Sequence, residues 1–163
     1  GVLLPHVDSG AEARAAVDAA FYPPRGQRSF GVSRAHGYGP RMNEYLESSP
    51  DETTVMVQIE SASAVRDIDA ILTTDGVDAA VIGPFDLSGS LGRLGEITHP
   101  EVQRAIDSVL ASGKKHGVPV GIFCGSADLA RGYLARGFSP IAVGGDSMLL
   151  AAAALELRQT VKS

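Results

Sequence analysis

Two acidic residues, Glu60 and Asp86, follow apolar runs that have the composition of buried β-strands. Glu60 comes directly after residues 54–59, and Asp86 follows residues 79–82 by way of a Gly-Pro pair. One strand-helix unit separates them, and neighbouring parallel strands lie about 4.8 Å apart, so the two carboxylates can converge on one point. Carboxylates in a half-buried cleft repel each other unless a cation or a proton joins them, and Mg²⁺ typically takes one or two protein carboxylates. The spacing therefore predicts a divalent-metal site with Glu60 and Asp86 as ligands.

An acidic residue after a strand is also a common N-cap of the following helix, and that alternative applies to each of the two carboxylates taken alone. The pair Gly83-Pro84 favours a ligand role for Asp86, because glycine permits close backbone approach and proline stiffens the turn. The backbone N–H groups of Phe85 and Asp86 can then point at an anionic ligand.

Other residues near strand ends are further candidates for the pocket. Asp146 follows two glycines and precedes a helix, which indicates a cap or structural carboxylate, although Gly144 can also line the site. Cys124 is typical of a small buried residue, since no histidine stands at an obvious partner position for a nucleophile. His6 lies just past the first strand and can reach the cleft.

An alternating series of strands and helices must position these residues. Five apolar runs, each followed by an amphipathic or turn-rich segment, predict strands at 2–4, 54–59, 79–82, 118–123 and 141–143. Helices are predicted at 9–20, 43–48, 63–72, 100–112, 127–135 and 147–161, and residues 22–38 are predicted to form a long loop. Nearly continuous apolar strands are typical of a parallel sheet that helices cover on both faces.

Two α/β folds have this pattern. The units can form an open doubly wound sheet of the flavodoxin type. Alternatively, they are five of the eight units of a (β/α)8 TIM barrel, which needs about 250 residues. In both folds the active site lies at the carboxyl ends of the strands, so the residues at the strand ends are candidate site residues in either case.

Composition narrows the function classes. The 163 residues have the usual length of one domain, and no linker divides them. The net charge of −5 argues against a nucleic-acid partner. A single cysteine excludes an intrachain disulfide and a multi-cysteine zinc site, and it fits a cytoplasmic location. No apolar run reaches the roughly 18 residues of a membrane helix, and the first residues do not form a secretory signal.

Six stretches in this order resemble the HpcH/HpaI class II aldolases, a family that includes hydroxy-oxo-heptanedioate and dehydro-deoxy-glucarate aldolases and is close to macrophomate synthase. The stretches are Leu3–Val7, Tyr22–Arg28, Val57–Glu60, Gly83–Ser88, His99–Val102 and Val143–Asp146. The pair V-Q-I-E and G-P-x-D-L-S is the specific part. The resemblance implies a (β/α)8 barrel of the phosphoenolpyruvate/pyruvate type, in a hexamer built from dimers that exchange their last helix.

The resemblance also implies roles for individual residues. Glu60 and Asp86 are expected to bind Mg²⁺, Mn²⁺ or Co²⁺, and Gln58 to contact the substrate keto oxygen or a metal-bound water. Gly83, Pro84, Phe85 and Asp86 are expected to bind substrate, with two of their N–H groups on the pyruvate carboxylate. Arg28 is expected near the mouth of the barrel.

The sequence departs from the family in composition and in length. It has Ser29 where a glycine is usual, Phe85 where a small residue is usual, and Cys124 and Gly145 where aliphatic residues are common. These changes are expected to alter the wall of the pocket that receives the acceptor aldehyde. The family's first three βα units, which carry its general-base His and an Arg, have no counterpart. We therefore expect residues 1–163 to be the last five units of one barrel domain, short of about 90 residues.

The expected activity is that of a metal-dependent lyase, which forms or cleaves a C–C bond between a pyruvate enolate and an aldehyde. Two alternatives stay open on the same scaffold: an oxaloacetate decarboxylase and a citrate-lyase-like enzyme. A third alternative is a catalytically inactive remnant with an assembly role.

Overall fold

The computed structural model describes residues 1–162 and contains one five-stranded parallel sheet. Its strands are β1 (Val2–Leu4), β2 (Val55–Ile59), β3 (Ala79–Ile82), β4 (Val120–Cys124) and β5 (Ile141–Val143). The strands lie side by side in chain order, β1-β2-β3-β4-β5. A doubly wound sheet reverses its strand order at a switch point, whereas a barrel adds each strand next to the last. The flavodoxin-type alternative is therefore excluded, and the chain is an open segment of a barrel.

The helices of the described residues lie between and after the strands. They are α1 (Gly10–Ala20), α2 (Met42–Glu52), α3 (Ala62–Arg66), α4 (Ile68–Leu72), α5 (Pro84–Ser90), α6 (Pro100–His116), α7 (Ala127–Arg136) and α8 (Asp146–Lys162), with a 3-10 turn at Arg34–His36. None of the helices within residues 1–162 combines the length and the apolar character that a membrane span requires.

Local sequence signals account for most of these bounds, with two differences in the segments that follow β2 and β3. The segment predicted as one helix at 63–72 is two short helices that meet at Asp67. Helix α5 begins directly at Pro84, in a segment for which no helix was predicted. Proline at the first helical position has its φ angle already set for the helix, and its missing N–H is not needed there.

The sheet has one face toward the helices and one toward the barrel interior. Successive side chains of a strand point to opposite faces, and the register places Ile59, Ile82 and Ile122 side by side. All three are fully buried in the core between sheet and helices. The same register aligns Gln58 with Val81 on the other face. Glu60, two residues after Gln58, continues that interior face at the carboxyl end of β2.

Both edges of the sheet and the last helix expose apolar side chains. Val2 and Leu3 on the β1 edge are 42% and 46% exposed, and Val143 on the β5 edge is 47% exposed. Helix α8 contains no buried residue, although it carries Met148, Leu149, Leu150, Leu155 and Leu157. Apolar strand edges and an apolar helix without a packing partner are features that folded proteins cover with another segment or chain.

Asp69 links helix α4 to helix α6 on the outer layer. Its carboxylate accepts hydrogen bonds from Lys115 at 2.6 Å and His116 at 3.0 Å, and a further one from Ser112. The Lys115 ammonium, followed by the Ser112 and His116 donors, lowers the pKa of Asp69 well below its usual range.

A carboxyl group whose pKa is lower in the folded state stabilises the fold above its unfolded pKa, which is about 3.9, and loses that contribution as the pH falls. We expect Asp69→Asn to be less stable than wild type at pH 7, and the difference to shrink below about pH 4. Urea denaturation of both proteins from pH 7 to pH 3 measures this. A difference that is constant over that range would show that the ion pair contributes nothing.

Candidate metal and substrate site

Glu60 is a buried carboxylate at the carboxyl end of β2. Its side chain is only 3% exposed, and each of its oxygens has a donor of its own. The backbone N–H of His6 donates to Oε1 at 2.9 Å, and the Gln58 amide nitrogen donates to Oε2 at 2.8 Å. The parallel pairing of β1 with β2 brings His6, which follows β1, beside Glu60. The carboxylate is therefore held in one orientation before any ligand arrives.

Gly83 closes the other side of this carboxylate. Its N–H donates to the Ile59 carbonyl at 3.1 Å, which continues the ladder between β3 and β2. A Cβ atom at position 83 would lie 2.7 Å from Glu60 Oε2 and 3.1 Å from the Gln58 amide nitrogen. Glycine at position 83 therefore permits a close approach between the backbone and the Glu60 carboxylate, which a side chain would prevent.

Asp86 and Phe85 lie in the first turn of α5, at the same end of the sheet as Glu60. Both are exposed, Phe85 by 57%. The first turn of a helix leaves backbone N–H groups without intrahelical acceptors. The pair of carboxylates thus consists of one buried, oriented group and one exposed group on the next unit.

The donor set fits a hard divalent ion that keeps several water or substrate ligands. Within residues 1–162 no three His, Cys, Asp or Glu side chains are clustered as a complete metal cage. Mg²⁺ does not need such a cage, because it is commonly held by one or two carboxylates with water and substrate oxygens in the other positions.

His6 has an unusual conformation beside Glu60. Its φ is 52°, in the left-handed region that non-glycine residues rarely adopt. The imidazole Nδ1 lies 3.5 Å from Glu60 Oε1, and the side chain is 73% exposed. The sequence placed His6 near the cleft, but no sequence signal indicated that its backbone would bind Glu60.

Arg28 lies at the opposite end of the sheet. Its guanidinium stacks over the Tyr22 ring at 4.6 Å and borders a cavity together with Val2 and Thr53, at the amino ends of β1 and β2. The reason is that α1 returns to that end, and the loop that carries Arg28 joins α1 to the start of β2 through α2. The expected position near the barrel mouth is therefore wrong within this chain.

Cys124 is the last residue of β4, and Gly144 directly follows β5. Cys124 follows Ile122 by two positions and so faces the helices, where it lines an apolar cavity of about 200 Å³ with Phe85 and Tyr133. The thiol is buried, as predicted for a small core residue. Gly144 has a φ of 65°, and its N–H donates to the Cys124 carbonyl at 2.8 Å.

Comparison with known proteins relates the chain to one family. Residues 1–153 match the HpcH/HpaI aldolase/citrate lyase family. A curated relative, the 5-keto-4-deoxy-D-glucarate aldolase of Klebsiella pneumoniae, is 40% identical over 160 residues, which are 98% of this chain and 62% of that protein. The chain thus spans about 62% of the length of the curated relatives that it matches.

Solved structures show the same relationship. An HpcH/HpaI aldolase/citrate lyase family protein from Burkholderia cenocepacia superposes with a TM-score of 0.92 at 38% identity, over 99% of this chain and 64% of that one. Macrophomate synthase superposes with a TM-score of 0.76 at 27% identity, over 99% of this chain and 59% of that one. The family match, the barrel-type strand order and the motifs at the ends of β2 and β3 lead to one conclusion: the chain belongs to the HpcH/HpaI aldolase/citrate lyase family.

Proposed function

We propose that this chain carries the metal-binding carboxylates of a divalent-metal-dependent aldolase that acts on pyruvate-like keto acids. The observation that carries the proposal is the buried Glu60 carboxylate, oriented by donors from the turn after β1 and from β2 and approached by the Gly83 backbone. Membership of the family and the aldolase names of its curated relatives support the same activity.

In this proposal Glu60 and Asp86 hold Mg²⁺, Mn²⁺ or Co²⁺. Such an ion, when bound, supplies Lewis-acid polarisation of a keto oxygen and offsets negative charge that develops there. Glu60 is suited to hold it because both carboxylate oxygens are fixed and water has little access to the side chain. Asp86 contributes its carboxylate as the second ligand, from an exposed position in the first turn of α5.

The chain's own residues orient the substrate. A glutamine amide has two N–H donors, and Gln58 uses one of them on Glu60. The second can donate to the substrate keto oxygen or to a water. In this proposal the N–H groups of Phe85 and Asp86, in the first turn of α5, donate hydrogen bonds to the carboxylate of pyruvate. The Phe85 ring, exposed beside them, forms part of the wall that an acceptor aldehyde meets.

The rest of the active barrel is proposed to come from segments outside these residues. The open β1 and β5 edges are the surfaces on which three further βα units would close the barrel and bring the general base and the arginine that the family uses. The exposed apolar side of α8 supports a homo-oligomer in which this helix packs on another copy. We also propose a cytoplasmic location for the protein.

The test is metal-dependent exchange of the methyl protons of pyruvate in the intact protein. Exchange requires the ion, the base and the keto-acid pocket but no particular aldehyde. We expect proton NMR in D₂O to show loss of the pyruvate methyl signal with Mn²⁺ or Mg²⁺ present, no loss with EDTA, and recovery when metal is restored. A protein that binds the metal but never exchanges these protons would contradict the proposal and favour an inactive remnant.

A second measurement separates the aldolase from enzymes with related chemistry. Release of CO₂ from oxaloacetate, faster than any cleavage of hydroxy-keto acids, would favour a decarboxylase. Cleavage that depends on an acyl-CoA would favour a citrate-lyase-like enzyme. The aldolase proposal expects the fastest turnover with pyruvate and an aldehyde.

A further inference from the structure

The imidazole of His6 lies beside Glu60 and has no role in the proposed function. The backbone N–H of His6 holds Glu60 Oε1 at 2.9 Å, while Nδ1 of the same residue lies 3.5 Å from that oxygen. The Glu60 side chain is 3% exposed and the His6 side chain 73% exposed. A nitrogen donor therefore stands on the open side of a buried carboxylate.

The spacing of these two atoms fits two ligands of one ion. Donors that bind a small octahedral ion lie about 2.1 Å from it, so two adjacent donors lie about 3 Å apart. The Nδ1–Oε1 separation of 3.5 Å needs only a small movement of the exposed imidazole to reach that value.

The unusual backbone conformation of His6 is held by the same carboxylate. A φ of 52° is disfavoured for a residue with a Cβ, and such strained conformations persist only where the surrounding structure holds them. Here the hydrogen bond from the His6 N–H to Glu60 holds the strained residue. The same turn that orients the carboxylate thus presents the side chain beside it.

We propose that His6 is a third protein ligand of the divalent ion held by Glu60, and that its nitrogen shifts the site toward transition metals. The proposal rests on the proposed function only for the existence of the metal site. Imidazole is a good ligand for Co²⁺, Ni²⁺ and Zn²⁺, whereas Mg²⁺ prefers oxygen donors and water. Loss of the imidazole should therefore affect Co²⁺ much more than Mg²⁺.

Calorimetric titration of the intact protein with Co²⁺ and, separately, with Mg²⁺ tests this in wild type and His6→Gly. Glycine keeps the backbone N–H and adopts the left-handed conformation without strain, so the orientation of Glu60 is preserved. We expect the Co²⁺ affinity to fall by about tenfold or more and the Mg²⁺ affinity to change by less than twofold. An unchanged Co²⁺ affinity in His6→Gly would overturn the proposal.

The matched control is His99→Asn, which removes another imidazole from the chain. His99 caps α6 by accepting the Glu101 N–H at 3.2 Å, and asparagine is an equally good cap. This variant should bind Co²⁺ as wild type does; an equal loss in both variants would show unspecific binding to histidines and would also overturn the proposal.

A spectroscopic measurement avoids mutation altogether. Electron spin echo spectra of the Mn²⁺-loaded wild type should show coupling to an imidazole nitrogen, and that coupling should vanish in His6→Gly. Wild type that binds Mg²⁺ and Co²⁺ without nitrogen coupling would overturn only the role of His6. Wild type that binds neither ion would overturn the metal site and, with it, the proposed function.

Discussion

Glu60→Gln is expected to abolish divalent-metal binding while leaving the fold intact. The substitution keeps the size of the side chain and one acceptor for the His6 N–H, but it removes the negative charge that a divalent ion needs. Electrostatic stabilisation of this kind is worth about a hundredfold to a thousandfold in turnover, so keto-acid exchange should fall by about that factor. The free energy of unfolding should change by about 1 kcal/mol or less, because the lost hydrogen bond is offset by the removal of a buried charge.

Calorimetric titration with Mn²⁺ and thermal unfolding, both on the same preparation, provide the measurement. Glu44→Gln is the matched control, since Glu44 is an exposed carboxylate in α2 that has no part in the site. Full Mn²⁺ affinity in Glu60→Gln would remove the basis of the metal assignment. A variant that fails to fold would be identified by its melting curve, and Glu60→Asp, which keeps the charge on a shorter side chain, would then replace it.

Gly83→Ala is expected to displace the Glu60 carboxylate and so reduce metal affinity by tenfold or more. The φ of Gly83 is −95°, which any residue can adopt, so the backbone is not the obstacle. The obstacle is the new methyl group, which would lie 2.7 Å from Glu60 Oε2. Forcing an extra methyl into a close-packed position costs about 1–3 kcal/mol, and the carboxylate or the strand end must move to relieve it.

Metal titration and urea denaturation of Gly83→Ala measure the two effects. The matched control is Gly132→Ala in α7, where an added Cβ meets nothing within 4 Å. Alanine in a helix interior is favoured over glycine by roughly 0.5–1 kcal/mol, so the control should be slightly more stable than wild type and bind metal normally. Wild-type metal affinity in Gly83→Ala would mean that the position of Glu60 beside Gly83 is irrelevant to ligand binding.

These two substitutions test one structural idea, that three strand ends cooperate at a single carboxylate. The turn after β1 provides a backbone donor, and the end of β2 provides the carboxylate and its amide partner. Gly83, after β3, has no side chain and so leaves room for the carboxylate. Each part comes from a different βα unit. The site therefore depends on the register between strands and cannot be held by one segment alone.

Much of the fold is encoded in local patterns that can be read without the structure. Strand β3 was predicted at the bounds that the structure has, because apolar runs between turn residues are a short-range property. The start of α6 at Pro100 follows in the same way from proline at the first helical position. The motifs V-Q-I-E and G-P-x-D-L-S identified the family, which the match over residues 1–153 confirms.

Other features were beyond local patterns because they depend on contacts between residues distant in the chain. The choice between an open doubly wound sheet and a barrel segment is made by strand order, which helix and strand periodicity do not specify. The position of Arg28 was mispredicted because it is determined by which end of the sheet the α1–β2 connection crosses.

The sequence by itself determined the positions of the strands and the family, and it predicted the two carboxylates at neighbouring strand ends as metal ligands. Only the tertiary structure decided that Glu60 is buried and doubly hydrogen-bonded whereas Asp86 is exposed, and that His6 takes a left-handed conformation to reach Glu60. The physical reason is that composition and periodicity are set by neighbours in the chain. Burial, orientation of a carboxylate and backbone strain also depend on partners that are distant in the chain, as the separation of 54 positions between His6 and Glu60 shows.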